Sequence, residues 1–282
     1  SGFAPEASEN VRDCTVKRNP ALERMIFEWK RFQFKDDRSV DYPCASEIAS
    51  GFSYSSSDVE LFCVALAACQ DDNPRKAGIF LSALIRCCPE SDYIIRTSHL
   101  TRIELLGYKN TKNIRVIGDA GDSIAAGMEG GTIIVEGNAG SSAANDMKGG
   151  SITVRGNTGI NLGYEMKGGS IIIEGDVDNF PGIKMRGGSI LVKGNAGHMV
   201  GSRMKYGSII VEGNVGGWVA DFMEGGTIRV KGDAGDDIGH WMSGGALHLM
   251  GEYGYLSGDI MGGRIFVKGW TIYPTIGVRD SS

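Results

Sequence analysis

The chain has no surplus of positive charge. Twenty-nine lysines and arginines stand against 34 aspartates and glutamates, a formal net charge of −5, and no basic cluster breaks the balance. Nucleic acid and anionic membrane surfaces therefore have no electrostatic footprint to meet. Nor does any apolar run approach the roughly 20 residues of a membrane span. Histidine is scarce, four in 282 residues, and the six cysteines (Cys14, Cys44, Cys63, Cys69, Cys87, Cys88) form no Cys-x-x-Cys pair. That spacing offers no zinc or iron–sulfur cradle, and free thiols in a cytoplasmic helical region are expected. No signal-peptide pattern opens the chain, and Ser1-Gly2 in place of an initiator methionine reads as a processed end. The expectation is a cytoplasmic protein without metal or cofactor.

What is abundant is glycine, 43 residues, and it is periodic. Eight times, 19 residues apart, a glycine is followed by an acid or amide, from Gly118-Asp119 and Gly137-Asn138 to Gly232-Asp233 and Gly251-Glu252. Ten residues into each unit stands a methionine: Met128, Met147, Met166, Met185, Met204, Met223, Met242 and Met261. A pair of glycines usually follows it. So strict a period is the signature of a solenoid.

The columns of the repeat give its cross-section. After each glycine pair comes a hydroxyl residue, then a β-branched run such as Ile152-Thr153-Val154. Two columns two residues apart are aliphatic, one through Ile133, Ile152, Ile171 and Ile190, the other through Val135, Val154, Ile173 and Val192. They share one face of a strand. The column before each opening glycine alternates in sign: Glu136, Arg155, Glu174, Lys193, Glu212, Lys231. Like columns of a parallel β-helix lie about 4.8 Å apart, so this alternation marks neighbouring repeats as stacked neighbours. Each exposed pair contributes about 0.2–1 kcal/mol, which supports register more than stability. Small residues at Ala144, Gly163, Gly182, Gly201, Ala220 and Gly239 mark a tight corner, and Ile124, Leu162, Val200 and Ile238 before them point inward. The methionine row could ligate a soft metal, but locked to the period it reads as flexible core filler.

Before the array the pattern is helical. Residues 1–18 read as a loose arm. Asn19-Pro20 opens a helix to about Phe34, with Leu22, Met25, Ile26, Trp29 and Phe32 at helical spacing. Residues 35–57, rich in serine and broken by Pro43 and Gly51, read as irregular. Ser57-Asp58-Val59-Glu60 reads as a capping box for a helix to about Gln70, and Asn73-Pro74 starts a third helix stopped near Pro89. Tyr93 to Thr97 and Ile114-Arg115-Val116 read as strands, the latter a first partial rung capped by residues 92–113. Domains are expected at 1–91 (helical) and 92–282 (β-helix with end caps).

The units from Gly118 to Gly140, Gly-Asp-Ala-Gly…Met-Glu-Gly-Gly-Thr-Ile-Ile-Val-Glu-Gly-Asn-Ala-Gly, resemble the Gly-x-x-Gly-x-x-x-Gly repeat family. That family includes the repeat-bearing subunit of formylmethanofuran dehydrogenase and the C-terminal domain of the glutamate synthase large subunit. The resemblance covers roughly residues 92–270 and implies a right-handed, single-stranded parallel β-helix of 19-residue coils, mainly β, with the α-helical region preceding it. It also implies a rigid spacer that holds catalytic partners and carries no catalytic residue. Residues 1–90 match nothing in either setting.

A catalytic site would show as columns broken by polar residues, and the four histidines, His99, His198, His240 and His248, fall in separate columns. No glycine-rich unit opens a helix or is followed by Gly-Lys-Ser/Thr, which leaves no phosphate loop. The hydroxyl column has no paired base. Asp176, Asp178 and Asn179 gather oxygens in one anomalous coil with Pro181, a local bend or a weak cation site. The variable pair before each methionine (Asn145-Asp146, Tyr164-Glu165, Ser202-Arg203, Asp221-Phe222, His240-Trp241) has the composition of a contact surface, and Tyr164, Arg203, Phe222, His240 and Trp241 are its candidate partner residues. The reading favoured is a non-catalytic scaffold of a multi-subunit oxidoreductase or amidotransferase complex, with protein partners. The alternatives are an enzyme whose site lies near His99, Glu104 or the cysteines, and a free-standing homo-oligomer.

Overall fold

A computed structural model describes residues 18–69, 73–100 and 102–273. The proposed arm, Cys14 and Gln70 lie outside the described residues. Eleven strands form one sheet in sequence order: Asp92–Arg96 (β1), Asn113–Ile117 (β2), Thr132–Val135 (β3), Ser151–Val154 (β4), Ser170–Ile173 (β5), Arg186–Val192 (β6), Tyr206–Val211 (β7), Thr227–Val230 (β8), Ala246–Leu249 (β9), Arg264–Val267 (β10) and Trp270–Tyr273 (β11). From β1 to β10 every neighbour is parallel, and from β2 to β9 the register is the repeat itself, with Ile133 over Ile152, Ile152 over Ile171 and Ile171 over Ile190, apart from a one-residue shift where Arg186 pairs with Tyr206 at the start of β6 and β7. This is a parallel β-solenoid. Both aliphatic columns are buried throughout those rungs, and so are the methionines from Met128 to Met242. The charge ladder pairs as its signs require: Arg155 with Glu136 at 2.7 Å, Lys193 with Glu174 at 3.0 Å and Lys231 with Glu212 at 2.6 Å.

The glycine–acid/amide dipeptide has a mechanical reason. Each Asx side chain turns onto the next coil and accepts its backbone N–H: Asn138 N donates to Asp119 Oδ1 at 2.7 Å, Asn157 N to Asn138 Oδ1 at 2.9 Å, and the ladder continues to Glu252. The accepting oxygen lies where the Cβ of the next coil's opening residue would be, as Asn138 Oδ1 does at Gly156 and Asp176 Oδ1 at Gly194. Only glycine leaves room. The methionine and glycine-pair columns interlock likewise: a Cβ on Gly150 would stand 2.7 Å from Met128 Cε, and at φ +84° that position is left-handed as well.

Two end expectations are corrected. Residues 92–113 are not a cap but the first coil, because β1 pairs with β2 in full register (Tyr93 with Ile114, Ile95 with Val116). At the far end Met261 is 66% exposed and leaves the core row. The last coil is one residue short, so Met261 N and Gly262 N both donate to Met242 O, as Lys148 N and Gly149 N donate to Met128 O. Met261 thus stands in the exposed column after the methionines, and β11 turns back antiparallel on β10.

Among the described residues the helical region has four helices: Pro20–Arg31 (α1), Arg38–Ser50 (α2), Ser56–Ala65 (α3) and Pro74–Cys87 (α4), with a 3-10 turn at Leu66–Ala68. Helix α1 stops three residues before Phe34. Helix α2 replaces the predicted irregular stretch and carries Pro43 inside it. Asp37 caps it, buried Tyr42, Ala45 and Ala49 hold it, and the buried Asp41 carboxylate accepts Lys35 N at 2.9 Å and Asp37 N at 2.8 Å. The capping box of α3 is Ser55 with Asp58, not Ser57 with Glu60; Glu60 instead accepts Ile94 N at 2.9 Å. Helix α4 seals the rod's first end. Its Gly78 sits so close to the Glu104 carbonyl that a Cβ would overlap it, and Ser82 Oγ donates to Leu105 O at 3.1 Å and accepts from Tyr108 N at 3.2 Å. Trp29, Phe62 and Phe80 join the aliphatic columns in one continuous core.

Candidate functional site

The variable row occupies a corner with an unusual backbone. In every full coil three residues, each two apart, adopt left-handed conformations: Trp218, Ala220 and Phe222 at φ 64°, 62° and 50°, and Asp237, Gly239 and Trp241 at 60°, 74° and 52°. Non-glycine residues held there cost about 1–3 kcal/mol each and persist where neighbouring structure over-determines them. Here the next coil does so: Arg203 N donates to Asp221 O and Phe222 N to His240 O, both at 2.8 Å. The middle residue of each triplet is the small corner column; the outer two point their side chains away from the core.

Four of the five candidate residues are brought together. The Arg203 guanidinium lies 5.3 Å from the Phe222 ring, and Phe222 stacks on Trp241 with planes 8° apart and centroids at 6.2 Å. His240 meets Trp218, Phe222 and Trp241 edge-on, with centroids at 5.2, 5.6 and 6.0 Å. Beneath them Asp221 is buried; its Oδ2 accepts from Ser202 Oγ at 3.0 Å and its Oδ1 lies 2.9 Å from His240 Nδ1. The acid stands between serine and histidine, and Ser202 is buried, so this ladder fixes the imidazole rather than arming a nucleophile. Trp218, Phe222 and Trp241 remain 37%, 39% and 44% exposed. A cleft of about 430 Å³ opens among Arg203, Phe222, Glu224, Trp241, Ser243 and Met261. Tyr164 is elsewhere on the rod, accepting from Lys184 Nζ at 2.8 Å and holding that ammonium's pKa above its ordinary value.

Sequence reading missed Trp218 and Met261. Trp218 stands four residues before Phe222, at the first left-handed position of the corner, a column whose outward direction shows only in the backbone angles. Met261 was hidden by the short last coil.

The groups of the enzymatic alternative are engaged in structure. His99 Nε2 lies 3.0 Å from Cys63 O, Glu104 pairs with Arg102 at 3.1 Å, and burial pushes the Cys63 thiol up to about 12, far from a reactive thiolate. A cleft of about 560 Å³ beside them is lined by Thr97, Arg102, Asp119, Asp122 and Asn138. Its acids are committed: Asp119 belongs to the Asx ladder, and Asp122 binds Arg102 at 2.5 Å and accepts Ser141 N. The anomalous coil is likewise explained. Where neighbouring coils use Asp122 or Asn179 to accept an N–H from the next coil, the chain has Ile160, and Asp178 Oδ1 serves Asn179 N from within its own coil at 2.8 Å. Asp176 accepts Asn195 N and Asn179 accepts His198 N, so these oxygens are directed to backbone donors.

A family model described as the GXGXG motif matches residues 106–265. No match was found among curated proteins. Solved structures that are similar include a chain of the formyltransferase/hydrolase complex (FhcABCD) from Methylorubrum extorquens in complex with methylofuran, at 30% identity and a TM-score of 0.41. That alignment spans 59% of this chain and 58% of the other, less than two thirds of its length.

Proposed function

Because this chain belongs to the GXGXG-motif family over residues 106–265, we propose that it is a non-catalytic scaffold subunit of a multi-subunit oxidoreductase or amidotransferase complex. Residues 92–282 are the spacer and residues 1–91 the helical cap on its first end. The observation that carries the reading is the exposed corner of Arg203, Phe222 and Trp241 with Trp218 beside it, an aromatic and arginine surface of the composition that protein interfaces concentrate. The backbone of Arg203, Trp218 and Phe222 is fixed by hydrogen bonds to the next coil, so little ordering entropy is lost there when a partner docks. The repeat resemblance to formylmethanofuran dehydrogenase and to the glutamate synthase C-terminal domain supplies the class of assembly, and the cytoplasm is its proposed location. The test is purification of the full-length protein from its native cells at low salt. Stoichiometric protein partners carrying the redox or transferase activity are expected; a monomer that emerges alone under cross-linking overturns the reading.

A further inference from the structure

A second cleft, of about 570 Å³, lies where the helical region meets the first coils and is lined by charged residues from both. Most of those charges are already matched. Arg75 pairs with Asp36 at 2.7 Å, Asp146 with Lys167 at 2.5 Å and Lys148 with Glu129 at 3.3 Å. Asp37 turns its Oδ1 to Ser39 N and Oγ as the cap of α2. Two cations are left over, against the single carboxylate of Asp37, which is directed to Ser39 and, among the described residues, has no cation paired with it. Among the described residues, neither Arg38 nor Lys109 has a carboxylate within ion-pair distance. Both are half-buried, and both rest on the same ring: the Arg38 guanidinium and the Lys109 ammonium are each 5.6 Å from the centroid of Tyr108. The ring quadrupole of Tyr108 attracts both cations but leaves neither charge neutralised.

We propose that this cleft binds a compact anion bearing a phosphate or carboxylate group, held between the Arg38 guanidinium and the Lys109 ammonium. A guanidinium presents a planar fork to such oxygens and an ammonium a mobile point charge, a complementary pair for one oxyanion. Arg38 begins α2, whereas Lys109 lies on the left-handed corner of the first coil (φ 53°). The bound anion therefore ties the helical cap to the rod, and the site is independent of the aromatic corner at the other end.

The test is calorimetric titration of the full chain with sodium phosphate and, separately, sodium citrate, each at constant ionic strength set by sodium chloride. Saturable binding of at least one probe is expected, with the tighter probe assigning phosphate or carboxylate chemistry. Arg38→Gln and Lys109→Gln should each weaken it at least tenfold, while Arg38→Lys and Lys109→Arg retain part of it. Lys205→Gln, at a surface pair with Glu224, should leave it unchanged. Hydrogen exchange should slow at the first turn of α2 when the probe is bound. Absence of saturable binding by either probe, or equal binding by wild type and both glutamine variants, overturns the proposal. So does a loss in Lys205→Gln as large as in those two.

Discussion

At the scale of single residues the rod rests on coupled pairs. Asn138 accepts Asn157 N at 2.9 Å, and its Oδ1 occupies the space above which Gly156 lies bare. Removing the acceptor in Asn138→Ala leaves a backbone N–H short of a partner, a loss of about 1–2 kcal/mol. Adding a methyl in Gly156→Ala overpacks the same point and costs about 1–3 kcal/mol. Since both changes act at one place, the double variant should be more stable than the sum of the singles by roughly 0.5–1 kcal/mol. Relief stays partial, because a Cβ there also meets the Gly137 carbonyl oxygen at 2.8 Å. Urea unfolding of the four proteins measures this coupling, and strict additivity would show that glycine and Asx recur for unrelated reasons.

At the scale of elements, a strand has two faces with different tolerance. In β5 Ile171 is buried, whereas Glu174 just beyond it is partly exposed beside Lys193 at 3.0 Å. Ile171→Asp places an unpaired carboxyl group in the core, where it is driven to the neutral acid, and should cost several kcal/mol, on the order of the roughly 2–7 kcal/mol for burying an unpartnered neutral polar group. Glu174→Lys should cost under about 1 kcal/mol. Thermal unfolding compares them, and equal tolerance contradicts the assigned faces. The rungs were legible because their period is enforced 19 residues at a time by the same contacts. Helix α2 was not, because Pro43 and the scattered serines Ser39, Ser46 and Ser50 oppose it locally and only tertiary burial of Tyr42, Ala45 and Ala49 overrides that preference. The helical cap also answers differently to pH. Burial pushes both the Cys63 thiol and the Tyr42 phenol up to about 12, from ordinary values of about 8.5 and 10. With folded values above unfolded ones, their contribution is complete below about pH 8.5 and is lost as pH rises toward 12. Helical circular dichroism should therefore fall between about pH 9 and 12, with a shallower fall in Cys63→Ala; an unchanged slope in that variant would remove the thiol from the account.

Across the whole molecule each coil contacts only its neighbours, so stability is spread along the rod while distinctive side chains concentrate at its ends. The candidate surface was legible in part for this reason. Arg203, Phe222, His240 and Trp241 share columns a linear reading can align, but Trp218 enters through the backbone direction of its corner and Met261 through a shortened coil. The aromatic side chains of this patch are more than a third exposed, so their removal should separate binding from folding. Phe222→Ser combined with Trp241→Ser should lower the unfolding temperature by several degrees, since each ring still buries over half of its surface, yet leave the solenoid folded at the assay temperature. Retention of partner proteins should fall at least tenfold, about 1.4 kcal/mol, the modest end of what interface anchors contribute. Tyr164→Ser serves as the control: about three coils away, roughly 14 Å at 4.8 Å per coil, it loses a phenol that accepts from Lys184 but no contact with the patch. Native pull-downs of the three proteins, quantified per subunit, decide the matter. If the double variant keeps its partners while Tyr164→Ser sheds them, docking follows the earlier coils and the aromatic corner is not the contact.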